Sequence, residues 1–162
     1  MARIYISIGS NINPAENVQR AVRGLREYFS NIQVSPVYES EAVGFEGSNF
    51  LNLVVGATTE LDVHEANQLL HKIEDEYGRD RSGPRFSSRT IDLDLLLYDD
   101  RVVKEAGLDI PREEITQNAF VLWPLADIAP DIFHPEKQQT IKELWNLFDK
   151  QSQILWPVEI EL

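Results

Sequence analysis

The sequence has no cysteine, a single methionine and only 15 Lys and Arg residues against 27 Asp and Glu. Without cysteine there is no disulfide, no thiolate metal site and no thiol nucleophile, so any metal must be held by oxygen or imidazole. The shortage of basic residues leaves a net charge of -12, and such a field repels nucleic acid and anionic membranes. A bilayer-spanning helix needs roughly 18 consecutive apolar residues, and no stretch of this chain approaches that. The opening run Met1 to Asn11 alternates apolar and polar residues and lacks the continuous apolar core of a signal peptide. No G-x-G-x-x-G, G-x-x-x-x-G-K-[ST] or G-x-S-x-G motif occurs, which argues against a doubly wound nucleotide fold and a serine nucleophile elbow.

What is present is a chain of 162 residues, 43% hydrophobic and 26% charged, which predicts one globular domain over 1–162. Ile4, Ile6 and Ile8 share one face of a first strand. Asn13 is positioned to cap a helix with Pro14 at its start, whose stripe is Val18, Ala21, Val22, Leu25 and Phe29. Strands are predicted from Ile32 to about Tyr38 and from Asn49 to about Thr59, and the second puts Phe50, Asn52 and Val54 on one face. Asp62 and Glu65 resemble a capping box opening a helix that ends at Gly78. An irregular loop covers Arg79 to Ser88, and a strand runs from Ile91 to Tyr98 with Ile91, Leu93, Leu95 and Leu97 on one face. Beyond it come turns with a short hairpin to Pro111, an apolar segment from Phe120 to Ile128 whose type Pro124 leaves open, and a helix from the capping box Thr140–Glu143. The order strand, helix, strand, strand, helix, strand implies an α+β, ferredoxin-like fold: helices packed on a mainly antiparallel sheet.

The chemistry concentrates around Arg89-Thr90-Ile91-Asp92-Leu93-Asp94. Asp92 and Asp94 share a strand face, and two ionised carboxylates so close repel each other. A raised pKa, a shared cation from Arg89 or a hard divalent metal would resolve that repulsion, and oxygen-only ligands favour Mg²⁺ or Mn²⁺. A solvated strand face with a surface ion pair is the bland alternative. Against it, Arg79, Arg81, Arg85 and Arg89 cluster just before the carboxylates of an otherwise acidic chain. Guanidinium groups beside a metal-holding carboxylate pair suit a polyphosphate, which makes nucleotide-dependent phosphoryl transfer the leading class.

These residues carry a family resemblance. Ile8-Gly9-Ser10-Asn11, Phe50-Leu51-Asn52, the Arg79 to Arg89 loop, Arg89-Thr90-Ile91-Asp92-Leu93-Asp94 and Phe120-Val121-Leu122-Trp123-Pro124-Leu125 occur in the order seen in 6-hydroxymethyl-7,8-dihydropterin pyrophosphokinases, and the resemblance covers residues 3 to about 145. It implies α/β/α layers and transfer of the pyrophosphoryl group of ATP, the co-substrate, to the hydroxymethyl group of a reduced pterin, with release of AMP, in folate synthesis. By the same carry-over, Asp92 and Asp94 would hold two Mg²⁺ ions, Arg79 and Arg89 would clamp the phosphates with Arg81 on the same loop, and His71 and Glu74 would lie along the nucleotide channel. Phe50 and Phe120 match the aromatics that sandwich the pterin, Asn52 the residue that reads it, and Ser40, Val43 and Gly44 the loop at its edge. Ordinary core packing would also account for Phe50 and Phe120, and backbone satisfaction for Asn52. The expected partners are these small molecules, with no nucleic acid or membrane, for a monomeric cytoplasmic chain.

The chain departs from the family pattern at three places. Pro111-Arg112 stands where Pro-His is usual, Asn118 where Arg is usual two residues before the phenylalanine, and Phe86-Ser87-Ser88 where Trp-Gly-Pro is common. Arg112 can still contact phosphate or ribose, although it offers no neutral acceptor nitrogen. The rival readings are a diverged paralogue acting on another pterin or nucleotide, and a non-catalytic pterin- or nucleotide-binding protein.

Overall fold

A computed structural model describes residues 1–41, 49–77 and 90–162. Strand β1 (Ala2–Ser10) lies at the centre of the sheet, pairing antiparallel with β4 (Phe50–Thr59) on one side and β5 (Asp92–Tyr98) on the other. Beyond β4 lie β2 (Ser30–Val34) and β3 (Val37–Ser40), and β8 (Leu155–Val158) pairs with β3 at the far edge. Helices α1 (Pro14–Tyr28) and α2 (Val63–Tyr77) cover one face. The other face carries α3 (Glu114–Gln117), α4 (Ala119–Ile128) and α5 (Ile141–Leu147). With β2 and β3 taken as one interrupted strand, the order β5, β1, β4, β2/β3 is the ferredoxin-like arrangement, all antiparallel and enclosed in α/β/α layers.

Two cores follow from the period-two alternation of the central strands. Ile4, Ile6 and Ile8 join Leu53, Val55, Leu70 and Ile73 beneath α1 and α2, whereas Tyr5 and Val54 meet Leu122 and Leu125 on the opposite side. Burying a large aliphatic side chain of this kind contributes about 1.5–3 kcal/mol. The capping boxes also form: the Glu65 N–H donates to Asp62 Oδ1 at 2.9 Å, and the Glu143 N–H to Thr140 Oγ1 at 3.1 Å.

Several local expectations need correction. Asn13 adopts left-handed geometry (φ 39°) and makes no side-chain cap, because the capping reach requires an extended backbone. The strand expected from Ile32 to Tyr38 is broken into β2 and β3, since Pro36 has no N–H for the ladder. The hydroxyl of buried Ser35 serves the gap by accepting from the Val54 N–H at 2.9 Å. A register shift against β1 lies between Tyr5 and Ile6, so Leu97 packs with Leu96 in the second core and not with Leu93 and Leu95. The apolar segment with Pro124 is helical, as α4. Strand β8 was not expected at all. The hairpin before Pro111 is present as β6 (Val103–Glu105) and β7 (Leu108–Ile110).

Candidate active site

Strand β5 ends the sheet, so its outer backbone groups need partners other than a neighbouring strand. Two side elements supply them. The Leu93 N–H donates to Glu74 Oε2 of α2 at 2.9 Å, and the Arg112 N–H donates to the Leu96 carbonyl at 3.2 Å. Those edge contacts bring both residues beside Asp92 and Asp94. Glu74 Oε1 stands 2.9 Å from His71 Nδ1, one turn earlier on α2. Arg112 donates from Nε to Glu114 at 2.6 Å and places Nη1 3.6 Å from Asp94 Oδ1.

The site concentrates negative charge at half-buried positions. Burial raises the Asp94 carboxyl above its ordinary range and the charge of Asp92 adds to this, while Arg112 opposes it. Burial also raises Glu74, against the pull of the Leu93 N–H and His71, with Asp92 adding a repulsive charge. Among the described residues no group of three or more His, Asp or Glu converges as a metal cage. A donor set of two carboxylates suits Mg²⁺, which keeps waters and takes its remaining ligands from substrate phosphates.

A second set of residues occupies the same sheet face. Gly9 lies opposite Asp92 on one side and Asn52 on the other, and Tyr38 lies opposite Asn52. A Cβ at position 9 would stand 2.9 Å from Asn52 Oδ1, so a larger residue would displace the amide. Ser40 pairs with Phe50 in the next row. Ser40 and Phe120 also line a cavity of about 580 Å³, together with Glu41, Asn118 and the segment Ser152 to Leu155. Behind it the buried Tyr38 hydroxyl donates to Asp127 of α4, and its ring lies 4.3 Å from that of Trp123.

Comparison with known proteins places the chain in a family. Residues 5–130 match the family described as 7,8-dihydro-6-hydroxymethylpterin-pyrophosphokinase. The 2-amino-4-hydroxy-6-hydroxymethyldihydropteridine pyrophosphokinase of Aquifex aeolicus is 36% identical over 145 residues, covering 88% of this chain and 90% of that protein. Its counterpart in Synechocystis is 36% identical over 157 residues, covering 94% and 78%. The chain belongs to this pyrophosphokinase family. Its fold matches that of wild-type Plasmodium falciparum HPPK-DHPS with a TM-score of 0.71 at 15% identity, across 90% of this chain and 44% of that longer one. The pyrophosphokinase reaction moves a pyrophosphoryl group from ATP to hydroxymethyldihydropterin in folate biosynthesis, so ATP is co-substrate and the substrates are small molecules.

Of the residues expected to serve the nucleotide, His71, Glu74, Asp92, Asp94 and Arg112 lie together around the start of β5. Of those expected to serve the pterin, Ser40 and Phe120 share the cavity, while Phe50 and Asn52 lie beside it on β4. Arg79, Arg81, Arg85, Arg89, Val43 and Gly44 lie outside the described residues, as do Gly78 and Phe86 to Ser88. Sequence reasoning missed the wall from Ser152 to Leu155. Four residues with neither a turn motif nor a charge pattern gave no signal of it.

Proposed function

We propose that this chain is a Mg²⁺-dependent pyrophosphokinase acting on ATP and 6-hydroxymethyl-7,8-dihydropterin, with its whole length, 1–162, as one catalytic domain. The observation that carries this reading is the row across the sheet in which Asn52 and Asp92 flank Gly9. Two strand spacings separate them, about 10 Å. A flat heterocycle recognised by the Asn52 amide therefore extends its hydroxymethyl arm toward the carboxylate pair. An amide presents donor and acceptor together, which suits the edge of a pterin, and Phe50 and Phe120 supply faces for stacking.

Asp92 and Asp94 would hold two Mg²⁺ ions, and these would neutralise the ATP phosphates. Arg79, Arg81 and Arg89 grip phosphate oxygens in this reading, while His71, Glu74 and Arg112 line the nucleotide side. Ser40, Val43 and Gly44 contact the pterin edge. The hydroxymethyl oxygen attacks the β-phosphorus, the bond from that phosphorus to the α,β-bridging oxygen breaks, and AMP leaves. The hydroxyl proton passes to Asp94 or to water. Catalysis rests on alignment and charge neutralisation. The net charge of -12 supports action without nucleic acid or anionic membrane as partner, and we assign the chain to the cytoplasm as a monomer. Among the described residues no helix is long and apolar enough to cross a membrane.

The test is incubation of the protein with Mg²⁺, ATP and the dihydropterin, followed by chromatographic separation of AMP from ADP. AMP formed in step with pterin pyrophosphate, and abolished by EDTA, is the expected result. Nucleotide binding without any AMP would overturn the catalytic reading in favour of a binding protein.

A further inference from the structure

The cavity between β3 and α4 has a wall contributed by the C-terminal segment. Ser152, Gln153, Ile154 and Leu155 face Ser40, Glu41, Asn118 and Phe120 across it. This wall lies beyond residues 5–130, where the family match ends. It is fixed to the sheet, because Leu155 opens β8 and pairs with Ser40 on β3. Two residues earlier, Gln153 ties it to the opposite wall. Its Oε1 accepts from the Ala119 N–H at 2.7 Å, and its Nε2 donates to the Gln117 carbonyl at 2.7 Å.

Those two backbone groups lie on either side of Asn118, at the end of α3 and the start of α4. Groups at such positions have no partner within their own helices and otherwise depend on solvent or a capping side chain. One amide serves both, and so fixes the peptide joint that sets the direction in which α4 leaves. Phe120 is the second residue of that helix, and it lines the cavity. Pro124 makes the joint more dependent on this support, since it has no N–H to give to the carbonyl of Phe120 four residues before it.

We infer that Gln153 is a positioning residue for the pterin: by clamping the α3–α4 joint from the C-terminal wall, it holds Phe120 in the orientation that stacks on the heterocycle. The inference rests on the reading of this cavity as the pterin subsite. The side-chain hydrogen bonds of Gln153 go to Ala119 and Gln117 and not to His71, Glu74, Asp92, Asp94 or Arg112, so its main effect falls on the pterin.

The test compares the full-length protein with Gln153→Ala and Gln153→Glu, using Gln151→Ala as a control on the same segment. Steady-state kinetics give KM for each substrate, and a fluorescence titration with 6-hydroxymethylpterin gives its Kd directly. Gln153→Ala should raise the pterin KM and Kd about fivefold to tenfold, as expected for losing a pair of hydrogen bonds, with the KM for ATP within twofold. Gln153→Glu keeps the acceptor for Ala119 but sets a carboxylate against the Gln117 carbonyl, so it should be weakened in the same sense. Gln151→Ala should match the unaltered protein. An unchanged pterin Kd in Gln153→Ala, or an equal rise in both KM values accompanied by a lowered melting temperature, would overturn the inference while leaving the pterin reading intact. Failure of the unaltered protein both to bind the pterin and to convert it would remove both.

Discussion

Burial and the neighbouring charge of Asp92 raise the Asp94 carboxyl above its ordinary range. A carboxyl raised in this way binds its proton more tightly in the native state than in the unfolded chain. Its contribution therefore favours folding at low pH and turns into a penalty as pH rises through the native pKa. At neutral pH the site stores this cost, and a bound cation or a neutral isostere relieves it. Asp94→Asn should accordingly raise the melting temperature of the metal-free protein at pH 7 by about 1–3 °C. The difference should vanish as pH falls below the ordinary aspartate range. The same variant should lose turnover by about 100-fold or more, as removal of one preorganised electrostatic partner does elsewhere. Scanning calorimetry across pH, with AMP formation measured in parallel, checks both halves. An Asp94→Asn protein with full turnover would remove this residue from both metal binding and proton transfer.

The central strand β1 joins the two halves of the site, because position 9 faces Asn52 on β4 and Asp92 on β5. Only a residue without a Cβ leaves the Asn52 amide in place, since the added carbon would stand 2.9 Å from its Oδ1. Gly9→Ala should therefore raise the pterin KM by about tenfold while leaving the KM for ATP within a few-fold, a cost of about 1.4 kcal/mol in binding. Separate substrate titrations distinguish this from general misfolding, which would change both. At the same scale, the exposed edge of β5 explains why a helix and a hairpin exit converge there. Glu74 takes the Leu93 N–H and the Arg112 backbone takes the Leu96 carbonyl, so the groups that protect the edge also deliver side chains to the carboxylates.

For the whole molecule, an acidic chain that takes a polyanionic nucleotide must gather local cations against its own field. A non-hydrolysable ATP analogue with Mg²⁺ at about 100 times its Kd should stabilise the fold by about 2.7 kcal/mol. That corresponds to a rise of about 5–10 °C in melting temperature. EDTA should cancel most of it. Thermal denaturation with analogue alone, Mg²⁺ alone and both together reads the coupling, and equal shifts with and without Mg²⁺ would separate nucleotide binding from the metal.

What the sequence determined by itself was whatever depends on short-range periodicity. The alternation of Ile4, Ile6 and Ile8, the helical stripe of α1, both capping boxes and the facing of Asp92 with Asp94 are set by strand and helix geometry within a few residues. The order of these elements carried the fold class, and the residue patterns carried the family. Tertiary structure decided what depends on partners distant along the chain. Leu97 changed face because the pairing of β1 with β5 shifts register, and Asn13 gave up its cap because its backbone turns left-handed. Leu155 to Val158 became a strand only because β3 had an edge to fill. Gln153, remote in sequence from Ala119 and Gln117, acquired its place through that same pairing. A hydrogen bond between segments so far apart depends on the closure of the whole sheet, and no local pattern encodes it.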